Sequence, residues 1–283
     1  EGVFMIKILT DSTSDLTPEL VARYQIERIP LYVYFGEECY RDGVDFTHEE
    51  FWEKLKTSDV FPRTAQPSPA DFMEVYRRLL DEGHEILFIG IGSTISGTVS
   101  SALLAQQEFP GAPIEVVDSL SLCMGIGLLC VHAGEMIARG MGLKEVAAEL
   151  RKMVPRIKVS FIVDSLDYLY KGGRLSKTQA ILGNVLNIHP RIAMADGILY
   201  AADKIRGKRR AVKALLDWAT GEKIDPLMLV AAHCDSPEEA EEIAETLRGM
   251  GLAKEVVLAK TGAVISSHCG PGTVGIVFIA QED

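Results

Sequence analysis

A short apolar run that stops at glycine constrains this chain more than any other feature. Ile86-Leu87-Phe88-Ile89 reads as a buried strand, Gly90-Ile91-Gly92-Ser93-Thr94-Ile95-Ser96-Gly97-Thr98 as the link after it, and Ala102-Leu103-Leu104-Ala105 as part of the next helix. Four apolar residues bounded by glycine suit a strand covered on both faces. Small hydroxyl residues and unobstructed glycines expose backbone N–H groups at the helix start, which is a ready anion site. The simpler use of Ser96 or Thr98 is to cap that helix, and an anion can share the same N–H cluster.

The same strand–loop–helix order recurs through the first half. Residues 5–10 form an apolar strand that enters Asp11-Ser12-Thr13-Ser14-Asp15, after which Thr17 and Pro18 supply an N-cap and a first helical position. Residues 29–35 are expected as one strand and 40–45 as a turn, with Thr47 capping a helix that carries Phe51, Trp52 and Leu55. Pro67 and Pro69 bar regular structure around them, so Thr64 is expected in an extended loop with its hydroxyl available, and Ser68 and Pro69 open another helix. A strand at 114–117 ends in Asp118-Ser119, and an apolar helix runs from about Ser121 to Arg139. This alternation predicts an α/β domain built on a mainly parallel sheet with helices on both faces.

From about Val159 the pattern changes. A strand at 160–163, a short helix at 166–170 and the basic loop Lys171-Gly172-Gly173-Arg174-Leu175-Ser176 come first. Asp196-Gly197 between residues 191–194 and 198–202 is a hairpin signal. Helices at 208–220 and 237–249 and strands at 227–232, 255–258 and 273–280 complete an α+β pattern. The expected division is therefore 1–158 as the α/β domain and 159–283 as the α+β domain.

Composition narrows the function classes. The chain has 283 residues, of which 47% are hydrophobic and 24% charged, values ordinary for a globular protein. Its formal net charge of −11 argues against a nucleic-acid partner, which needs a basic surface. No run has the length of a membrane span and no signal-peptide pattern opens the chain; Met5 resembles a natural start, so Glu1 to Phe4 are set aside. Cys39, Cys123, Cys130, Cys234 and Cys269 are odd in number and lack a disulfide-framework spacing, which fits a reducing cytoplasm. His233-Cys234 and His268-Cys269 have no accompanying carboxylate cluster, so no metal is expected. The Gly-x-Ser-x-Gly elbow, the Walker A loop and His-Glu-x-x-His are absent, and Gly90-x-Gly92 lacks the third glycine of a dinucleotide fingerprint. What remains is a set of uncharged donors in loops: Ser12, Thr64, Ser96 to Thr98, and Ser267-His268-Cys269-Gly270-Pro271-Gly272. Such donors suit a carboxylate or phosphate. His268 either donates to the same anion or bonds a turn carbonyl.

Taken in order, Thr10-Asp11-Ser12-Thr13-Ser14-Asp15-Leu16, Thr64-Ala65-Gln66-Pro67-Ser68-Pro69, Ile95-Ser96-Gly97-Thr98, Lys171-Gly172-Gly173-Arg174-Leu175-Ser176 and His268-Cys269-Gly270-Pro271-Gly272 resemble the DegV family of bacterial proteins. The resemblance spans nearly the whole chain. It implies a two-domain, non-enzymatic lipid-binding protein that buries one long-chain fatty acid, carboxylate near the domain interface and tail in an apolar tunnel. It further implies that Thr64 and Ser96 bind the carboxylate, that Gly97 adds a backbone contact, and that His268 lies close by, with Ser12 and Thr98 as supporting residues. Some members present the acid to a fatty acid kinase that makes acyl phosphate, and Arg174 and Arg206 would then face the kinase or the phosphate. No cofactor beyond the bound acid is implied. Residues 161–163, 181–188 and 274–279 are apolar enough to line a tunnel or to be ordinary core. Two positions depart from the family pattern: Ala65 stands where a serine is common, and Ile95 where leucine is more frequent. The alternative to a carrier is a serine-dependent hydrolase or phosphotransferase using Ser96 with His268 as base. A phosphate- or nucleotide-binding regulator is a third reading, disfavoured by the acidic charge and the missing P-loop.

Overall fold

Four strands of the first half, Met5–Asp11 (β1), Glu27–Ile29 (β2), His84–Gly90 (β6) and Ile114–Asp118 (β7), pair in parallel in the order β2-β1-β6-β7. Residues 5–176 and 187–282 are described by the computed structural model. The chain divides into two units, Glu1–Pro155 and Arg156–Asp283. A boundary at 158/159 would have cut a strand that starts at Ile157.

In the first unit, alternate residues of β6 face different neighbours. Ile86 and Phe88 join Leu9 in a core with Phe72, Tyr76 and Leu79 of helix α3 (Pro69–Asp81) and with Val99, Ala102 and Ala105 of helix α4 (Thr98–Gln107). Leu87 and Ile89, which point the other way, are also fully buried, so both faces are covered, as a parallel strand requires. Helices α5 (Met124–Ala138) and α6 (Leu143–Met153) pack on β1, β6 and β7.

The start of α3 follows its sequence signal closely. Ser68 Oγ accepts from Asp71 N at 3.2 Å, Asp71 Oδ2 accepts from Ser68 N at 2.7 Å, and Pro69 takes the first helical position, where its missing N–H costs nothing. Ser68→Ala is expected to lower stability by about 1 kcal/mol, read as a fall of roughly 2–4 °C in the thermal midpoint followed by circular dichroism.

The expected single strand over residues 29–35 is two strands in different sheets. β2 ends at Ile29, Pro30 has no N–H for a ladder, and Tyr32–Phe35 (β3) belongs to a three-stranded antiparallel sheet with Glu38–Arg41 (β4) and Arg63–Ala65 (β5). Leu31 between them donates its N–H to Ser12 Oγ at 3.1 Å and accepts from Asp42 N at 2.8 Å. β4 also takes the first two residues of the turn expected at 40–45. Helix α2 (His48–Thr57) is capped by Thr47 as expected, and Glu50 completes a capping box.

The second unit holds a six-stranded sheet of order β10-β9-β8-β13-β11-β12. Its strands are Ile157–Ile162 (β8), Ile188–Ala195 (β9), Ile198–Arg206 (β10), Met228–Cys234 (β11), Glu255–Lys260 (β12) and Thr273–Ile279 (β13). Only β11 and β12 run parallel, around helix α9 (Pro237–Met250); the remaining pairs are antiparallel. Helices α7 (Asp167–Lys171), α8 (Lys208–Thr220) and α10 (Ala263–Cys269) complete it. The hairpin at Asp196-Gly197 is as read: both residues have positive φ, 50° and 76°, which a tight two-residue turn between twisted strands needs. Ile162, Val274, Ile276 and Phe278, candidates for a tunnel wall, pack with Leu215, Leu229 and Ile243 in one core. Of the candidate stretch at 181–188, residues 181–186 lie outside the described residues.

Candidate functional site

In the first unit the chain leaves β1 toward β2 on one side and leaves β6 toward β7 on the other. The carboxyl ends of β1 and β6 are therefore the switch point of the sheet, where open α/β folds hold ligands. Two loops stand there, Ser12 to Asp15 after β1 and Ile91 to Gly97 after β6.

The second loop is tied down at its base. Ile91 N donates to Asp11 Oδ2 at 2.8 Å, Gly92 N to Ser121 O at 2.8 Å, and Ser93 N to Asp118 Oδ1 at 3.1 Å. The N–H groups of Ile95 and Ser96 both turn back to Gly92 O at 3.1 Å. A Cβ on Gly92 would sit 2.9 Å from the backbone of Leu120 and Ser121, so this residue admits no side chain. The loop ends in Gly97, which occupies the N-cap of α4 and contributes no side-chain bond. Ser96 supplies part of what is missing: its Oγ accepts from Thr98 N at 3.3 Å and lies 2.9 Å from Thr98 Oγ1. Thr98 is thus the first helical residue, fully buried, and not the cap it was expected to be.

Thr64 comes from another sheet of the first unit. It lies in β5, paired with Val33, and not in an extended loop. A Cβ built on Gly97 would stand 2.7 Å from Gln66 Nε2, so the Gln66 side chain, two residues beyond Thr64, packs against Gly97. Thr64 and Ser96 are both half-buried, each with some solvent access. Ser12, the supporting candidate, has its oxygen committed to Leu31 N, where the chain steps from β2 to β3. Gln66 and Asp11 were not singled out from sequence. Gln66 stands inside a quoted stretch, and Asp11 is the acid that ends a strand at the switch point. Asp11 is fully buried, and its carboxyl is pushed up to about 6 by that burial, which outweighs the opposing bonds from Thr13 and Ile91; the nearby Asp42 raises it further.

The second unit gathers a different set. His268 lies within α10, not in a glycine loop, and Ser267 Oγ bonds back to Ala263 O at 2.7 Å along that helix. Gly172 abuts the imidazole so closely that a Cβ there would meet His268 Nδ1 at 2.2 Å. Arg174 Nη1 donates to Gly172 O at 2.6 Å, bringing its charge to the same corner. Burial first, and then this guanidinium, push His268 down to about 3, so the ring is neutral near pH 7. Gly270 ends α10 at φ 79°, ψ 169°, and Gly272 presses on Asp164, which pairs with Lys208 Nζ at 2.6 Å. Arg206 is exposed at the end of β10, and no hydrogen bond or ion pair engages its side chain among the described residues. Among the described residues no group of three or more His, Cys, Asp or Glu could hold a metal ion, and no helix is long and apolar enough to cross a membrane.

A parallel sheet with a glycine- and hydroxyl-bearing loop at its switch point, followed by a mixed six-stranded sheet, defines a two-unit protein of the α/β class. Residues 5–281 match the family described as "Uncharacterised protein, DegV family", and the chain belongs to the DegV family. A DegV domain-containing protein of Caldanaerobacter subterraneus is 36% identical over 275 residues, 96% of this chain and 98% of that one. A protein of Thermotoga maritima named as a fatty acid-binding protein is 34% identical over 281 residues, 95% of this chain and 96% of its own. The structure of a DegV family protein from Thermus thermophilus, described by its fatty acid binding, matches with a TM-score of 0.86 at 37% identity, covering 98% of this chain and 100% of that one.

Proposed function

We propose that this protein is a carrier that binds one long-chain fatty acid, its carboxylate held by the Thr64 and Ser96 hydroxyls and by N–H groups at Gly97 and the start of α4. The observation that supports the reading is the packing of the Gln66 side chain, two residues beyond Thr64, against Gly97 at a helix N-terminus without a side-chain N-cap. A carboxylate leaves water only where several donors replace its hydration, and a helix N-terminus adds a favourable dipole. Each buried CH₂ of the tail adds about 0.8 kcal/mol, so chain length supplies affinity while the donors fix orientation. The relatives named for fatty acid binding support the same ligand class.

In this reading the bound acid is presented to a fatty acid kinase in the bacterial cytoplasm, which transfers the terminal phosphoryl group of ATP to a carboxylate oxygen, giving acyl phosphate and ADP. The resemblance assigns Arg174 and Arg206 to the kinase or the phosphate, and His268 to the neighbourhood of the carboxylate. Arg206 and its exposed sequence neighbours Lys204, Arg209 and Arg210 suit an anionic partner. The competing hydrolase reading asks His268 to act as a base, and a ring whose proton affinity is depressed to about 3 is a weak one.

Native mass spectrometry of the purified protein tests the carrier. A mass increment matching one long-chain fatty acid is expected, restored by palmitate or oleate after stripping. Apo protein that takes up neither acid would overturn the proposal, and labelling of Ser96 by a serine-directed phosphonate would favour the hydrolase.

A further inference from the structure

We infer that Asp11 is the positioning residue that holds the Ser96–Gly97 loop in its ligand-ready shape, an inference that rests on the carboxylate-binding reading above. The first three N–H groups of the loop all bond outward, to Asp11, Ser121 O and Asp118. Two of these acceptors are carboxylates at the ends of β1 and β7, the strands on either side of β6. They are used differently. Asp118 offers the single oxygen Oδ1 to both Ser93 N and Leu120 N, at 3.1 and 3.0 Å. Asp11 commits both oxygens: Oδ1 accepts from Thr13 N at 3.0 Å and from the Thr13 hydroxyl, and Oδ2 accepts from Ile91 N, 80 residues away.

The environment of Asp11 makes this a costly place for a charge. The side chain is fully buried; the titratable groups that face it are Asp42, beyond β4, and Cys130 on α5, and among the described residues no ion pair engages it. A buried carboxylate without a counter-charge is tolerated only where its hydrogen bonds are needed. Its one bond to a distant part of the chain is the one to Ile91, at the root of the loop that carries Ser96.

The asymmetry gives a sharp test. An amide has one acceptor oxygen, so Asp118→Asn keeps the oxygen that both its donors use. Asp11→Asn turns an NH₂ group toward either Ile91 N–H or Thr13 N–H and leaves a buried donor unpaired. Such a loss corresponds to about 10-fold to 100-fold in a local equilibrium. Hydrogen exchange of peptides spanning residues 90–98, corrected for intrinsic rates, is expected to quicken at least about tenfold in Asp11→Asn and less than about threefold in Asp118→Asn at pH 7.5. Protonation removes an acceptor in the same way, so wild-type protection of these peptides should fall as the pH drops from 7.5 to 5, and that slope should vanish in Asp11→Asn. The wild-type slope needs no variant to fold. Palmitate affinity in the same samples should follow the exchange, dropping about tenfold in Asp11→Asn. Equal exchange in wild type and Asp11→Asn overturns the inference, as does a loosened loop that binds palmitate as tightly as wild type. If wild-type protein takes up no palmitate, the binding reading fails and the positioning role with it, while faster exchange in Asp11→Asn would still identify the bond to Ile91 as a structural tie.

Discussion

Thr64→Val combined with Ser96→Ala is expected to strip the bound fatty acid while leaving the protein folded. Each substitution removes one hydroxyl donor to a carboxylate, a bond to a charged group worth about 1.5–3 kcal/mol. Losing both should weaken binding by roughly a hundredfold or more. Thr64 meets its strand partner Val33 through the backbone, and valine keeps the β-branched shape that a strand favours. Ser96 Oγ gives up the 3.3 Å bond from Thr98 N and the 2.9 Å contact with Thr98 Oγ1 at a buried helix start, a loss of about 1–3 kcal/mol that the fold is expected to survive. Native mass spectrometry should record mostly apo protein, and far-ultraviolet circular dichroism should be unchanged. Occupancy equal to wild type would remove both residues from the carboxylate site.

Gly270→Ala is expected to be a strongly damaging single-methyl change in the second unit. At φ 79° and ψ 169° the backbone lies in a region that side chains rarely adopt, and the new Cβ would fall 2.4 Å from the Tyr168 ring. Strain and clash together should cost about 3 kcal/mol or more, measured as a lower midpoint in urea. Gly140→Ala is the comparison. Its φ of 86° is equally unfavourable, but nothing lies within 4 Å of the added carbon, so about 1–2 kcal/mol is expected. Equal costs at the two sites would show that the packing of Tyr168 on Gly270 contributes little.

Local chemistry was legible in the sequence. Thr17, Thr47 and Ser68 cap their helices as read, because a hydroxyl at an N-cap acts within three residues of itself. The parallel order of the first sheet followed from the alternation of apolar runs with helices. The misreadings share a non-local cause. Thr64 becomes a strand residue only because Tyr32–Phe35, about 30 residues earlier, offers an edge to pair with. Helix α10, Ala-Val-Ile-Ser-Ser-His-Cys, is rich in weak helix formers and begins at a glycine with no side-chain cap; it is buried almost throughout, so packing selects it over propensity. The donor set at Ser96 was readable as a hydroxyl-rich helix start, whereas the Gln66–Gly97 approach joins residues 31 apart and leaves no local trace. The link from Asp11 to Ile91 is the same kind of invisible bond at longer range.

The strand order of the second unit has a consequence for how the chain is made. β13, last in chain order among the described strands, lies in the middle of its sheet between β8 and β11, and pairs Val274 with Ile162, more than a hundred residues earlier. Until it leaves the ribosome, β8–β10 and β11–β12 have no shared strand, and each presents an unpaired apolar edge. All strands of the first unit precede residue 119, so its sheet can form during synthesis while the second waits for its final strand. Slow, late closure of that gap is when nascent chains would be most prone to pair with one another.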